Sequence, residues 1–190
     1  MLFRILHYDV LDSTNNLAKE LASLGALEGT VVVTDYQTKG RGQFNRRWHS
    51  PQGKDLLFSI VLRPLSIKAG NMSLVTQVAA KSIQNVLSKK FGIKSKIKKP
   101  NDVLIDDKKV CGILVEGSSF SSRMDSLVIG VGLNINSGKS ELLPRATSIS
   151  TVSGVKQDRK KTLELLLEEF RNCYYAFFPQ EKRRLLEQAK

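Results

Sequence analysis

The chain has 190 residues, a length typical of one domain, and its two cysteines and two histidines are too few and too separated for a transition-metal site. It has no apolar run of membrane-span length and no signal-peptide pattern, so we expect a soluble cytoplasmic protein with reduced thiols. Thirty Lys and Arg against 18 Asp and Glu give a net charge of +12, which favours an anionic partner.

The first third of the chain predicts two strands around a helix and then a third strand. Residues 3–10 alternate weakly and predict the first strand. The polar run 12–15 is typical of a helix N-cap, and leucines and alanines at helical spacing then continue to Gly25. Residues 29–37 and 55–63 are rich in Val, Thr, Leu and Ile and predict buried strands on either side of a long loop.

The rest of the chain predicts a long helix, several short strands and a helical end. Apolar residues from Val75 to Leu87 lie on one helical face, and Gly92 ends the helix. Strands are predicted at 93–97, 103–105, 110–116 and 126–136, with turns at 98–102 and 106–109. The chain is predicted to be helical from Asp158, with an interruption at Pro179 and a short basic helix after it.

These elements predict an α+β fold in which helices back a mixed or antiparallel sheet. The strands occur in hairpin-like pairs and not in regular alternation with helices, which argues against a doubly wound fold. We expect one catalytic domain over residues 1–155 and a helical segment over 156–190 that packs on it without forming a separate domain.

The loop of residues 39–54 is the strongest functional signal. Its glycines at 40, 42 and 53 allow close backbone approach to a ligand, and its five Lys and Arg residues provide charge for an anion. Trp48 adds a flat apolar surface. The loop lacks the helix N-terminus of a dinucleotide fingerprint and the Gly-Lys-Ser/Thr ending of a P-loop. It therefore indicates a site for a small molecule with an apolar body that is to be joined to a phosphate.

Four segments, in order, resemble the catalytic domain of biotin protein ligases, over about residues 5 to 150. They are Ser13-Thr14-Asn15; Gln37 with Gly40-Arg41-Gly42, Arg46-Arg47-Trp48 and Ser50-Pro51-Gln52-Gly53; Lys98-Lys99-Pro100-Asn101-Asp102; and Lys109 with Gly112-Ile113-Leu114-Val115-Glu116, followed by Gly130-Val131-Gly132-Leu133-Asn134. The resemblance implies a biotin/lipoate protein ligase-like fold, related to the cores of class II aminoacyl-tRNA synthetases.

The resemblance also implies a reaction and its partners. Biotin and ATP, with Mg²⁺, would form biotinyl-5′-adenylate and release pyrophosphate. The biotin would then pass to a lysine of the biotin carboxyl carrier domain of a biotin-dependent carboxylase. A homodimer is compatible with this reading, and binding to DNA or to a membrane is not expected. The chain shows no winged-helix pattern before the catalytic motifs. Its last thirty residues predict helix and not the β-barrel that can follow this catalytic domain in the family.

The roles of individual residues follow from the same resemblance. The catalytic group comprises Arg41, Arg46, Lys109 and Asp102. The biotin-binding group comprises Ser13, Thr14, Asn15, Gln37, Gly40, Arg41, Trp48, Lys109, Gly112, Leu114, Gly130 and Gly132. The adenylate-binding group comprises Arg41, Gly42, Arg46, Trp48, Lys98, Asn101 and Asn134. Asp102 would either hold Mg²⁺ or assist the incoming lysine, and Ser13 has helix capping as a second role.

Two other functions remain open from the sequence. A lipoate–protein ligase or octanoyltransferase would share the fold, and an octanoyltransferase would need a nucleophilic cysteine, for which Cys111 is the candidate near the motifs. A basic nucleic-acid-binding module would explain the net charge, although no recognition motif is visible and aromatic residues are sparse.

The chain departs from the family pattern at two positions in these motifs. Lys99 stands where the family's Lys-Trp-Pro-Asn-Asp motif has Trp, and Gln43 stands where many members have Arg. An arginine at 43 would add a charge-assisted clamp on the phosphate of the activated intermediate.

We therefore predict that this chain releases biotinyl-5′-adenylate faster than its Gln43→Arg variant, by about tenfold for one hydrogen bond to a charged group. The measurement is the dissociation rate of the isolated intermediate. Gln52→Arg is the control, because it adds the same charge to the same loop outside the Gly-Arg-Gly run. Release from the wild type that is equal to or slower than release from Gln43→Arg contradicts the prediction.

Overall fold

A seven-stranded mixed sheet forms the centre of the computed structural model, which describes residues 1–64, 67, 71–120 and 123–188. The strands are β1 (Arg4–Leu11), β2 (Thr30–Gln37), β3 (Leu56–Leu62), β4 (Lys96–Lys98), β5 (Asp102–Ile105), β6 (Lys108–Phe120) and β7 (Arg123–Leu133). The helices are α1 (Thr14–Ser23), α2 (Met72–Phe91), α3 (Ile149–Ser153), α4 (Arg159–Phe177) and α5 (Pro179–Gln188).

The strand order across the sheet is β1-β2-β3-β7-β6-β5-β4. β1 and β2 are parallel, because α1 carries the chain back between them, and every other neighbouring pair is antiparallel. The α+β prediction with a mixed sheet is therefore confirmed. One strand–helix–strand unit at the start of the chain adds the parallel pair that hairpins cannot make.

The two faces of the sheet are covered unequally. One face packs against α2 and α4 in a large cluster that includes Val31, Ile60 and Ile129 from the strands and Phe170 from α4. The other face packs against α1 in a small cluster of Ala18, Ala22, Val32, Val61 and Val128. Since side chains alternate along a strand, residues 130 and 132 of β7 lie on the same face as Val128, where α1 begins.

Local chemistry explains where the helices begin and end. Ser13 precedes α1 with extended backbone but makes no capping bond with its side chain, although it is only 2% exposed. Gly92 ends α2 in the left-handed conformation that glycine adopts without a steric cost. Asp158 caps α4 by accepting from the backbone N–H of Lys161.

The structure differs from the predicted elements in one helix and in the bounds of several strands, among them β6, predicted at 110–116 and found at Lys108–Phe120, and β7, predicted at 126–136 and found at Arg123–Leu133. The strand predicted at 93–97 lies at Lys96–Lys98, because residues 92–95 leave α2 without pairing. The short helix α3 was not predicted, since Ser148 supplies its N-cap within a polar stretch that has little apolar periodicity. No helix among the described residues combines the length and apolar character needed to cross a membrane.

The packing of α4 gives a stability prediction. Phe170 is 3% exposed in the large cluster and Phe177, on the same helix, is 57% exposed. We expect Phe170→Ala to lower the free energy of unfolding by about 3–5 kcal/mol, because it leaves a cavity in the core. Phe177→Ala is the control and should change it by less than about 0.5 kcal/mol.

Urea denaturation followed by circular dichroism measures both variants. Equal stability of the two would contradict the packing of α4 on the catalytic domain, and the predicted division at residues 155 and 156 would then have to be reconsidered.

Candidate active site

A cavity of about 440 Å³ lies on the face of the sheet that α1 covers only in part. Its walls come from the start of α1, the loop 39–54, the turn before β5, and strands β6 and β7. Most of the residues that the sequence singled out line it: Ser13, Thr14, Asn15, Gln37, Arg41, Gly42, Arg46, Trp48, Lys98, Asn101, Asp102, Lys109, Gly112, Leu114, Gly130 and Gly132. Gly40 and Asn134 are not part of this lining.

Trp48 lies across two glycines that face each other on neighbouring strands. Gly112 of β6 and Gly132 of β7 are register partners. A Cβ atom built on Gly132 would come within 2.3 Å of the indole, and one on Gly112 within 2.8 Å. The indole Nε1 is buried and has no hydrogen-bond partner among the described residues. The two glycines therefore form a flat floor on which the indole rests, and its N–H remains to be satisfied.

Gly40 acts through the backbone of the same loop. Trp48 N donates to Gly40 O at 3.0 Å, and a Cβ atom on Gly40 would lie 2.6 Å from Trp48 O. Only glycine allows this close approach of the two loop arms. Gly40 thus supports Trp48, and its predicted contact with biotin stays a prediction.

Uncharged hydrogen-bonding groups meet where α1 begins. Gln37 Oε1 accepts from Thr14 N at 2.8 Å and from Thr14 Oγ1 at 3.2 Å. Ser59 Oγ, fully buried on β3, lies 2.8 Å from Thr14 Oγ1 and 2.6 Å from Asn15 Oδ1. The Asn15 amide occupies the space above Gly130, where a Cβ atom would lie 2.0 Å from its oxygen. Sequence reasoning missed Ser59, whose signal was a single hydroxyl inside an otherwise apolar strand.

The six cations that line the cavity fall into two groups. Lys109 Nζ lies 2.7 Å from Asp102 Oδ1 and 5.4 Å from the centre of a Trp48 ring, and Arg41 Nη2 lies 3.0 Å from Glu116 Oε2. The other group, within the described parts of the chain, has no carboxylate within ion-pair distance. It comprises Arg46, Arg47, Lys98 and Lys99.

Glu116 is an ionised carboxylate beside the first cavity, where it accepts from the lining residues Asn15 and Arg41, and sequence reasoning did not assign it a role. Burial alone raises its pKa, but hydrogen bonds from Lys19 and Asn15 and the charges of Lys19 and Arg41 outweigh that effect and lower the pKa below its usual range. Glu116 is therefore negatively charged at neutral pH.

A second cavity of about 290 Å³ adjoins the first and shares Arg47, Trp48, Lys98, Asp102 and Lys109 with it. Its far side is formed by Asn134 and by the segment 142–146, to which the sequence assigned no element. Lys109 N donates to Arg145 O at 2.8 Å, and Asn134 Nδ2 donates to Thr147 O at 2.9 Å. Asn134 thus fixes the segment that closes this second cavity. Asn134 directly follows β7, whose Gly132 forms part of the floor of the first cavity.

One buried carboxylate connects the loop 39–54 to residues 135–137, which follow β7. Asp55 is 1% exposed. Its Oδ2 accepts from Ser50 Oγ at 2.8 Å and from Ser137 Oγ at 2.5 Å. Its Oδ1 accepts from the backbone N–H of Ile135 at 2.8 Å and, at 3.3 Å, from those of Asn136 and Ser137. The end of the loop and the end of β7 therefore share one anchor, which sequence reasoning missed.

Cys111 does not fit the role of a nucleophile. It is fully buried in the large core cluster, on the opposite side of β6 from Gly112, and burial raises the pKa of its thiol far above neutrality. Cys173, on α4, is not part of either cavity lining. The cysteine route to an octanoyltransferase therefore has no support in this structure.

The described residues also contain no group of three or more His, Cys, Asp and Glu side chains that could hold a metal ion. Asp102 is the carboxylate closest to the proposed chemistry, and it already pairs with Lys109.

These features place the chain in a known class. Residues 8–134 match the Biotin/lipoate A/B protein ligase family, and the chain belongs to that family.

Within this family, the chain is similar in sequence to ligases that are named for biotin or as BirA. The chain is 40% identical to the "Bifunctional ligase/repressor BirA" of Bacillus subtilis over 90% of its own length and 53% of that protein. It is 28% identical to the "Biotin--[acetyl-CoA-carboxylase] ligase" of Mycobacterium tuberculosis over 83% of its length and 59% of that protein. The chain thus spans about half the length of the curated relatives it matches.

Solved structures agree with this assignment. The biotin protein ligase from Aquifex aeolicus in complex with biotin and ATP superposes with a TM-score of 0.79 at 31% identity, over 92% of this chain and 71% of the other. The biotin protein ligase from Leishmania major in complex with biotinyl-5-AMP, at 22% identity, has a TM-score of 0.72 over 90% of this chain and 75% of the other and shares the fold.

The glycine floor gives a direct prediction, because Trp48 is the single tryptophan of the chain. Gly132→Ala forces the indole off β7, so the fluorescence emission maximum of the folded protein should shift to longer wavelength and its quenching by acrylamide should increase at least about twofold. Gly138→Ala is the control, since its nearest neighbour would lie at an ordinary 3.5 Å. Identical emission and quenching in wild type and Gly132→Ala would contradict the described position of Trp48.

Proposed function

We propose that this chain is the catalytic part of a biotin protein ligase. It activates biotin with ATP to biotinyl-5′-adenylate and transfers the biotin to a lysine of a biotin carboxyl carrier domain. One observation carries the proposal: a single cavity brings buried neutral groups at the start of α1 and the half-buried Gln37 of β2 together with six cations from three separate motifs. The likeness to ligases named for biotin supports the choice of acid.

The neutral groups suit the uncharged ring system of biotin. Ser13, Thr14 and Gln37 offer donors and acceptors without a net charge, and a ureido group needs both. Trp48 and Leu114 supply apolar surface for the rest of the ligand. Ser13 makes no capping bond, so its hydroxyl is available to a ligand.

The cations suit the first chemical step. A biotin carboxylate oxygen attacks the α-phosphorus of ATP, a bond from that oxygen to phosphorus forms, and the bond to the leaving pyrophosphate breaks. The biotin carboxylate and the polyanionic triphosphate repel each other unless fixed positive charge neutralises them. Lys109 and Arg41 are held in place by carboxylates, and we assign them to the carboxylate–phosphate junction. Arg46, Lys98 and the other unpaired cations are assigned to the phosphates.

The second step transfers the acyl group. The amine of a carrier lysine attacks the biotinyl carbonyl carbon, the bond to the AMP oxygen breaks, and the nitrogen loses a proton. Asp102, 2.7 Å from Lys109, orients that cation and lies at the boundary between the two cavities. We assign the adenosine end to the second cavity, between Trp48 and the segment 142–146, with Asn134 holding the segment. Asn101, whose amide donates to Ile113 O at 2.9 Å, supports β6 beside it.

Mg²⁺ fits this site as part of the ATP complex. The described residues offer Asp102 alone at the shared wall, and its charge is already matched by Lys109. Mg²⁺ commonly binds through substrate phosphates with one protein carboxylate at most, where it neutralises phosphate charge. Asp102 is the residue that would contact it.

Lipoate is the alternative acid within the same family and mechanism. It shares the carboxylate with biotin but lacks the ureido group that the network of Thr14, Gln37 and Ser59 suits. A preference of the enzyme for biotin over lipoate therefore tests the neutral end of the cavity. The charged end can bind the carboxylate of either acid.

The deciding measurement is ATP–pyrophosphate exchange with Mg²⁺, with biotin, lipoate and octanoate in parallel. We expect exchange with biotin alone and a loss of about 10²–10³ in rate in Lys109→Met, because a fixed donor at the developing charge is removed. Lys89→Met is the control: Lys89 pairs with Glu169 outside both cavities.

Exchange with lipoate only would move the chain to the lipoate branch of the family. The absence of exchange with every acid would contradict adenylation, and salt-dependent binding to DNA would then favour the nucleic-acid module.

A further inference from the structure

Glu116 on β6 connects α1 to the loop 39–54 from behind the cavity lining, to which it does not itself belong. Its Oε1 lies 2.8 Å from Lys19 Nζ, and its Oε2 accepts from Asn15 Nδ2 at 2.8 Å and from Arg41 Nη2 at 3.0 Å. Arg41 Nη2 also donates to Asn16 Oδ1 at 2.7 Å. One carboxylate thus fixes a cation from each of two elements.

These contacts use one nitrogen of the Arg41 guanidinium. The group carries five N–H donors. Its Nη2 is shared between Asn16 and Glu116, whereas Nε and Nη1 donate to no residue in the described parts of the chain. Because Arg41 lines the cavity, those donors are available to a bound anion.

The charges of the cluster do not cancel. Lys19 and Arg41 together carry two positive charges, and Glu116 carries one negative charge. The cluster therefore has a net charge of +1. Lys19 neutralises part of the Glu116 charge from the side of α1, and the potential at Arg41 stays positive, which favours an anionic ligand. Asn15 links the cluster to the network below, since its Oδ1 lies 2.6 Å from Ser59 Oγ.

We propose that Glu116 is a positioning residue for Arg41. It holds the guanidinium by Nη2 so that the remaining donors meet the carboxylate–phosphate junction of the ligand. This inference rests on the proposed function, in which Arg41 acts at that junction. Glu116 is not part of the cavity lining, so it acts on the ligand through the lining residues that it holds, of which Arg41 is the charged one.

The first test replaces the charge and keeps the shape. Glu116→Gln should lower kcat/KM for biotin in the exchange reaction about ten- to hundred-fold, as expected when a catalytic donor is displaced by about an ångström. Glu169→Gln is the matched control. Glu169 likewise accepts from a lysine, Lys89, and from an asparagine amide, Asn85, but lies outside both cavities. It should leave kcat/KM within about twofold.

A double-mutant cycle separates positioning from a general loss of stability. If Glu116 acts through Arg41, Glu116→Gln should have almost no further effect in an Arg41→Met background, because the two residues form one unit. Independent, additive losses would overturn the proposal. So would tighter binding of biotin by Glu116→Gln in calorimetry, since Glu116 would then compete with the ligand for Arg41.

A structural measurement decides the matter without activity. In a crystal structure of Glu116→Gln, Arg41 Nη2 should leave Asn16 Oδ1 by more than hydrogen-bond distance. A contact kept near 2.7 Å would overturn the proposal even in an active enzyme. If the wild type shows no biotin-dependent exchange, the proposed function fails, and the position of Arg41 in the variant still decides the role of Glu116.

Discussion

The buried carboxylate of Asp55 is the interaction on which both cavities depend. It stands at the start of β3 and accepts hydrogen bonds from Ser50, at the end of the loop 39–54, and from residues 135–137, just after β7. A buried charge is tolerated only when its acceptors are satisfied, so all these donors must be in place together. Two residues before Ser50 stands Trp48, and beyond Ser137 runs the segment that closes the second cavity. The walls of the site are therefore ordered as one unit.

Periodicity and turn chemistry were sufficient to predict most elements and the class of sheet. Alternating or continuous apolar runs identified the strands, and Gly92 and Pro179 marked helix boundaries. The motif residues were also found, because glycines and cations in a long loop are unusual enough to be read locally. Their contacts with one another were not predicted, since no local pattern indicates that the Trp48 indole lies directly on Gly132.

The residues that were missed share one property. Ser59, Asp55 and Glu116 each have at least one partner more than forty residues away, and the pairing of β3, β6 and β7 helps to bring these partners together. A serine within an apolar strand, or an acid at its end, has many ordinary explanations in sequence alone. The segment 137–148 was missed for a related reason, since it is held by backbone bonds to Lys109 and by the side chain of Asn134. Long-range contacts of this kind leave no local pattern.

One face of strand β7 packs in the core, and its other face lies at the candidate active site. Leu127, Ile129 and Leu133 pack into the large core, while Gly130 and Gly132, on alternate positions, lie under Asn15 and Trp48. Because the large core lies on the other face, between the sheet and α2 and α4, the side chains above these two glycines are not part of it. A descendant of this chain could therefore acquire a different acid specificity through the side chains above the glycines, without first having to rebuild the domain that supports them.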